Sequence, residues 1–248
     1  MEAQPKCNLI IDSCCDLPFE VIDRPGVQLL EFPYIDEKGE HSDDLYRTIT
    51  PHEFYEGMRA GSQPSTAQVP VTVFHDVFSK AIESGVPTVY LSFTSGLSGS
   101  FNTAVMMRDQ LIAEHPEAEL YVVDTYLASV AEALLVYEAL NQRDNGMTAR
   151  ELAAWAEEAR YFVDAEFMVD DLESLRRGGR IPSTVAYAGA KLDVKPLLNI
   201  SIEGKLALTG VARGRKKGIR QLAEYCSKRM TDQKPGRCVV IGNADCPK

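Results

Sequence analysis

The chain has 248 residues, 45% hydrophobic and 25% charged, which is ordinary for a folded protein and enough for one large domain or two smaller ones. Its formal net charge of −10 argues against a nucleic-acid partner, which needs a basic surface, and gives no help in docking on anionic membranes. No apolar run approaches the roughly 20 residues of a membrane span, and Met1 to Lys6 lacks the charged-then-apolar order of a signal peptide, so the expected setting is cytoplasmic with no integral membrane segment.

In chain order, Asn8 to Ile11 reads as a strand and Val27 to Ile35 as a second. A helix is expected over Pro51 to Arg59, with Thr50 as N-cap and proline at the first helical position. Val71 to Glu83 carries apolar residues at helical spacing. Val86 to Phe93 and Glu119 to Val123 are further strands, each followed by a helix, Phe101 to Glu114 and Ala128 to Gln142. Strands alternating with helices imply a mainly parallel sheet covered on both faces.

The pattern changes after Asn145-Gly146. Thr148 and Glu151 form a capping box for a helix to about Tyr161. A strand at Glu166 to Val169, a short helix ending at Gly178-Gly179, and strands at Val194 to Ile200 and Leu206 to Val211 follow, with a hairpin turn at Glu203-Gly204. A basic helix, Arg215 to Met230, leads to a last strand at Arg237 to Ile241. The expected fold class is therefore α/β in two domains: residues 1–163, a three-layer α/β/α unit with a parallel sheet, and residues 164–248, a smaller α+β domain.

Polar residues gather where strands end. Asp12-Ser13-Cys14-Cys15-Asp16 follows the first strand, Thr94-Ser95-Gly96-Leu97-Ser98-Gly99-Ser100 the third, and Asp124-Thr125 the fourth. In a parallel sheet these turns share the carboxyl edge, where ligands bind. Gly96 and Gly99 let backbone N–H groups face a ligand, the hydroxyls add donors, and a helix N-terminus follows, a combination suited to a carboxylate or phosphate. The same residues are also ordinary turn and capping residues, and for Asp12 and Asp124 capping is the simpler reading.

Catalytic equipment is harder to find. The 94–100 turn has no Gly-Lys-Ser/Thr of a P-loop and no G-x-G-x-x-G order, and Ser100 stands where a nucleophile elbow needs glycine. None of His41, His52, His75 and His115 lies at a strand end. The six cysteines show no Cys-x-x-Cys spacing, so neither a metal nor a cofactor is expected. A phosphotransferase or hydrolase acting at the Ser/Thr cluster stays as the alternative to a binding protein.

Several segments, in order along nearly the whole chain, resemble the bacterial DegV family. Asp12-Ser13 with Asp16-Leu17-Pro18 is similar to its Thr-Asp-Ser…Asp-Leu-Pro opening, and Pro64 to Pro70 to its Pro-x-Thr-Ser-Gln-Pro segment. Thr94 to Ala104 resembles its Ser-Ser-Gly-Leu-Ser-Gly-Thr turn. Asp170-Asp171-Leu172, Arg177 to Ile181, Lys195-Pro196 and Val211 to Lys217 match further signatures. The resemblance implies a non-enzymatic carrier that holds one long-chain fatty acid between two domains and presents it to the catalytic subunit of a fatty acid kinase, which makes an acyl phosphate for phospholipid synthesis.

Carried over residue by residue, Thr66 and Ser98 would hold the carboxylate, with Ser95 beside them and Asp12, Ser13, Gly96 and Gly99 shaping the pocket turns. Arg213 and Arg215 would serve kinase docking. Two departures stand out. Ala67 replaces a serine, and Asn243 stands where the family commonly has a histidine near the acid head group, a donor that cannot carry charge. Family members also continue with a helix and a strand past the position of Lys248.

Overall fold

The computed structural model describes residues 5–182, 193–230 and 238–246. The chain divides into two compact units, Met1–Val163 with Val240–Lys248, and Asp164–Val239. The second unit thus ends earlier than the expected 164–248, because the chain from Val240 returns to the first unit, where Val240 packs on a hydrophobic cluster.

The first unit is built on a parallel sheet of four strands, β1 (Asn8–Asp12), β2 (Val27–Leu30), β6 (Thr88–Ser92) and β7 (Leu120–Asp124), in the order β2-β1-β6-β7. Alternation along each strand sends side chains to two opposite cores. Leu9, Ile11, Val89, Leu91 and Val123 enter one, with α5 (Ser129–Asp144) and α6 (Ala149–Ala159). Ile10, Tyr90 and Leu120 enter the other, with α3 (Val71–Glu83) and α4 (Ser100–Glu114). This is the expected three-layer arrangement, and both expected capping boxes form, Thr50 with Glu53 ahead of α2 (Pro51–Arg59) and Thr148 with Glu151 ahead of α6. A short α1 (Phe19–Ile22) follows the β1 turn.

The expected long strand Val27 to Ile35 is two strands. β2 ends at Leu30, and β3 (Pro33–Asp36) joins a separate antiparallel sheet, β4-β3-β5, with β4 (Gly39–Ser42) and β5 (Ser65–Thr66). Pro33 has no N–H for a ladder, and the Phe32 N–H turns instead to Ser13 Oγ at 3.1 Å. Tyr34 lies opposite Thr66, which fixes where that threonine sits.

The second unit has an antiparallel sheet β10-β9-β8, formed by β8 (Glu166–Met168), β9 (Val194–Ile200) and β10 (Leu206–Arg213). Leu172, Ile181 and Leu198 form its buried cluster, next to α7 (Glu173–Arg177). α8 (Arg215–Arg229) packs on the sheet through Gly218, where a Cβ would collide with Met168. The expected strand at 237–241 does not form over the described residues 238–241, and Arg237 lies outside them.

Candidate functional site

The order β2-β1-β6-β7 reverses direction between β1 and β6, because β2 lies on one side of β1 and β6 on the other. Such a switch point opens a crevice at the carboxyl ends of the two strands. Here those ends are the Asp12–Asp16 and Phe93–Ser100 turns.

The second turn is held at both ends. Thr94 N–H donates to Leu127 O at 3.1 Å, Gly96 N–H to Thr94 Oγ1 at 3.0 Å, and Ser95 N–H to Asp124 Oδ1 at 3.1 Å. At its far end Ser98 Oγ accepts from Ser100 N–H at 3.2 Å and donates to Ser100 Oγ at 3.0 Å, which in turn accepts from Val69 N–H at 3.1 Å. Gln68 lies where a side chain on Gly99 would have to go. These contacts bring the Ser65–Val69 segment, with Thr66, onto the turn that starts α4. Thr66 is exposed and its hydroxyl makes no hydrogen bond among the described residues, while Ser95 and Ser98 are half-buried.

Asp12 and Ser13 are fully buried. Asp12 accepts from Cys14 N–H at 3.1 Å, Phe93 N–H at 2.7 Å and Tyr90 Oη–H at 2.9 Å. Loss of water around it outweighs these bonds and pushes its pKa up to about 7. Asp124 likewise serves backbone N–H groups, those of Ser95 and Tyr126. Both aspartates cap turns, as the simpler reading of the sequence held.

Asn243 lies in the returning 240–246 segment, exposed, with Gly242 close against Val130 at the start of α5. Downstream, Asp245 Oδ2 meets His52 Nδ1 at 3.0 Å and Arg59 Nη1 at 2.8 Å. His52, Glu56 and Asp245 converge closely enough to ligate an ion. Arg59, however, already binds both carboxylates, with Glu56 Oε1 at 2.6 Å, and its fixed charge competes with any metal.

In the second unit, Arg213 closes β10 and Gly214 follows with φ +82°, leading straight into Arg215, Lys216 and Lys217 of α8. Arg213, Lys216 and Lys217 are exposed. Arg215 lies 3.9 Å from Asp170, which is bonded to Lys195 at 2.9 Å.

The sequence reading passed over Glu132 and Arg160. Glu132, on α5, is completely buried. Arg160 donates to Asp124 O at 2.5 Å and lies over the Tyr126 ring, 4.3 Å from its centre, which puts a cation beside the end of β7. Glu132 had a signal, since it falls on the helical stripe 132/135/136/139/140 that is otherwise apolar. Arg160 had none.

Known proteins resemble this chain over most of its length. The family described as "Uncharacterised protein, DegV family" matches residues 6–248. A DegV domain-containing protein of Clostridium perfringens is 33% identical over 241 residues, 97% of this chain and 82% of that protein. A Thermotoga maritima protein whose structure is described as revealing fatty acid binding superposes with a TM-score of 0.75 at 28% identity, over 91% of this chain and 78% of that one. A stearic acid-binding protein of Eubacterium ventriosum gives 0.79 at 26% identity, over 90% and 76%.

Proposed function

The chain belongs to the DegV family, and from that premise we propose that it binds one long-chain fatty acid in the cytoplasm and presents the carboxylate to a fatty acid kinase, with no chemistry of its own. The observation that carries this reading is the junction of two hydroxyl-bearing segments at a switch point. Val69 N–H, Ser100 Oγ and Ser98 Oγ are linked in sequence at the N-terminus of α4, and Thr66 comes with them. Hydroxyl donors and helix N–H groups suit an anionic head group, and the carboxylate is assigned to Thr66 and Ser98 with Ser95 adjacent. Asn243 is the weaker third donor. The fatty acids named for the Thermotoga and Eubacterium proteins support the ligand class. The kinase step rests on the family resemblance and on the basic run at Arg213 and Arg215.

The test is extraction of purified protein with organic solvent and mass spectrometry of the extract. About one acyl chain per protein is expected. Delipidated protein with no affinity for stearate or for any acid of similar length would overturn the reading.

A further inference from the structure

Glu132 is out of place for an ionised side chain. It sits in the first turns of α5 on the face formed with Leu135, Val136, Ala139 and Leu140, and its exposure is 0%. Neither carboxyl oxygen meets an N–H or hydroxyl donor among the described residues. α5 packs on the Ser13–Cys15 turn that follows Asp12, and there the Glu132 carboxyl faces the carboxyl of Asp12, also at 0% exposure. The other charges that face the pair are acidic: Asp16, which accepts from Ser129 Oγ at 2.5 Å, and Asp124 at the end of β7. Cys14 and Cys15 of the β1 turn and Tyr90 of β6 border it, all held neutral by burial and by these same carboxylates. Arg160, beside the end of β7, donates to Asp124 O and lies over two tyrosine rings.

Two buried carboxyl groups that face each other, neither paired with a cation among the described residues, do not both ionise. We propose that Glu132 and Asp12 share one proton, with Glu132 donating to Asp12, and that this bond is a latch positioning the Phe93–Ser98 turn. Asp12 is the hub, since it takes Cys14 N–H just after β1, Tyr90 Oη–H from the middle of β6 and Phe93 N–H just after β6. Glu132 adds α5 to that hub. Loss of the shared proton places a second negative charge under the turn, pushes α5 from β1, and loosens the backbone that presents Ser95 and Ser98. Burial raises both groups, Asp12 to about 7 and Glu132 well above the usual carboxylate range, so the pair sheds a first proton near neutral pH and keeps the second, shared one beyond it. Coupled groups of this kind lose the proton as a pair, not as separate residues.

The latch itself is independent of the ligand; its effect on affinity rests on the fatty-acid reading. In the full-length, unsubstituted protein, NMR of the side-chain carboxyl carbons should show Glu132 un-ionised at pH 6 and losing its proton only well above the ordinary carboxylate range. The amide signals of Phe93 and Ser95 should shift along the same curve. Stearate affinity should fall about tenfold as that transition is crossed, since a one-unit change in protonation free energy is a factor of ten. Glu132→Gln keeps a neutral donor and should retain the low-pH affinity while flattening the pH profile. Glu132→Leu should shift the Phe93 amide at every pH. An ionised Glu132 at pH 6, or turn amides that ignore its titration, would overturn the proposal. Unsubstituted protein that binds no stearate at any pH would sink the fatty-acid reading, while the carboxyl and amide titrations would still decide the latch.

Discussion

Thr66 and Ser98 are held in different ways, and their substitutions should differ accordingly. Ser98 Oγ is already part of the chain that runs through Ser100 to Val69, whereas Thr66 is exposed with its hydroxyl free of protein partners among the described residues. A hydrogen bond to a charged group contributes about 1.5–3 kcal/mol, so Thr66→Ala should weaken stearate binding by about one to two decades without altering the melting temperature. Ser98→Ala should weaken binding similarly and also lower stability, because Ser100 N–H loses its partner. Calorimetric titration of the two variants and the double variant checks both effects; a double variant with unchanged affinity places the head group elsewhere. The turn that carries Ser98 was legible in the sequence because turn chemistry is local, whereas Thr66 was singled out only through the DegV resemblance. Glu132 was not picked out, since glutamate in the first turn of a helix ordinarily faces solvent and complements the dipole. Its place on an otherwise apolar stripe was the one contrary signal, and the packing of α5 on the sheet shows that it is buried.

At the scale of elements, the alternating strands and helices of the first unit were legible because two-residue and 3.6-residue periods differ plainly. Two strands were misread for the same reason: strand propensity reports side-chain character, and a strand also needs a ladder partner. Val27 to Ile35 is uniformly strand-like, yet Pro33 breaks the parallel ladder and sends the chain to a second sheet. Cys238 to Ile241 has β-branched character, but it pairs with no strand among the described residues, and Ile241 is 89% exposed. α8 carries a different tension. It opens with Arg215, Lys216 and Lys217, with no acidic residue in its first turn, against the preference of a positive helix terminus. That arrangement suits an acidic partner, and Arg213, exposed beside Gly214, is its foremost member. Arg213→Ala should leave stearate affinity and folding nearly intact while slowing acyl-phosphate formation by a cognate kinase, with a defect that shrinks as salt rises. Full turnover by the variant would make the residue structural. On the buried side of the same helix, Gly218→Val should destabilise the second unit by about 1–3 kcal/mol, because the new side chain meets Met168 and Ala212. Met168→Ala should restore part of the loss in urea melts, and an absence of any rescue would show that the contact is not the cause.

For the molecule as a whole, the buried carboxyl groups set the direction of its pH dependence. Asp12 and Asp16 are raised by burial to about 7 and about 6 from 3.8, and Glu132 is raised as well. A carboxyl group whose folded pKa lies above its unfolded value holds its proton in the native state and releases it on unfolding. The native state is then favoured fully below the unfolded pKa, and that advantage is lost as pH rises through the folded one, at about 1.4 kcal/mol per pH unit for each proton difference. Other groups pull the opposite way. Asp36, Asp170 and Asp245 are lowered, each first by a hydrogen bond from its basic partner, His41, Lys195 and Arg59 respectively. Their contribution is lost only as pH falls below the ordinary carboxylate range, so it is complete and constant above about pH 5. Between pH 5 and 8 the raised groups therefore decide the slope, and the growing negative charge of a chain already at −10 acts in the same sense. Urea midpoints should be higher at pH 5 than at pH 8. Asp16 should contribute up to about pH 6 and Asp12 up to about pH 7, with Glu132 acting in the same sense. Asp12→Asn removes the titration at the hub and should flatten the upper part of the curve. A midpoint that rises from pH 5 to pH 8 in the unsubstituted protein would mean that these carboxyl groups are ionised in the folded state and that their burial is compensated by contacts other than a retained proton.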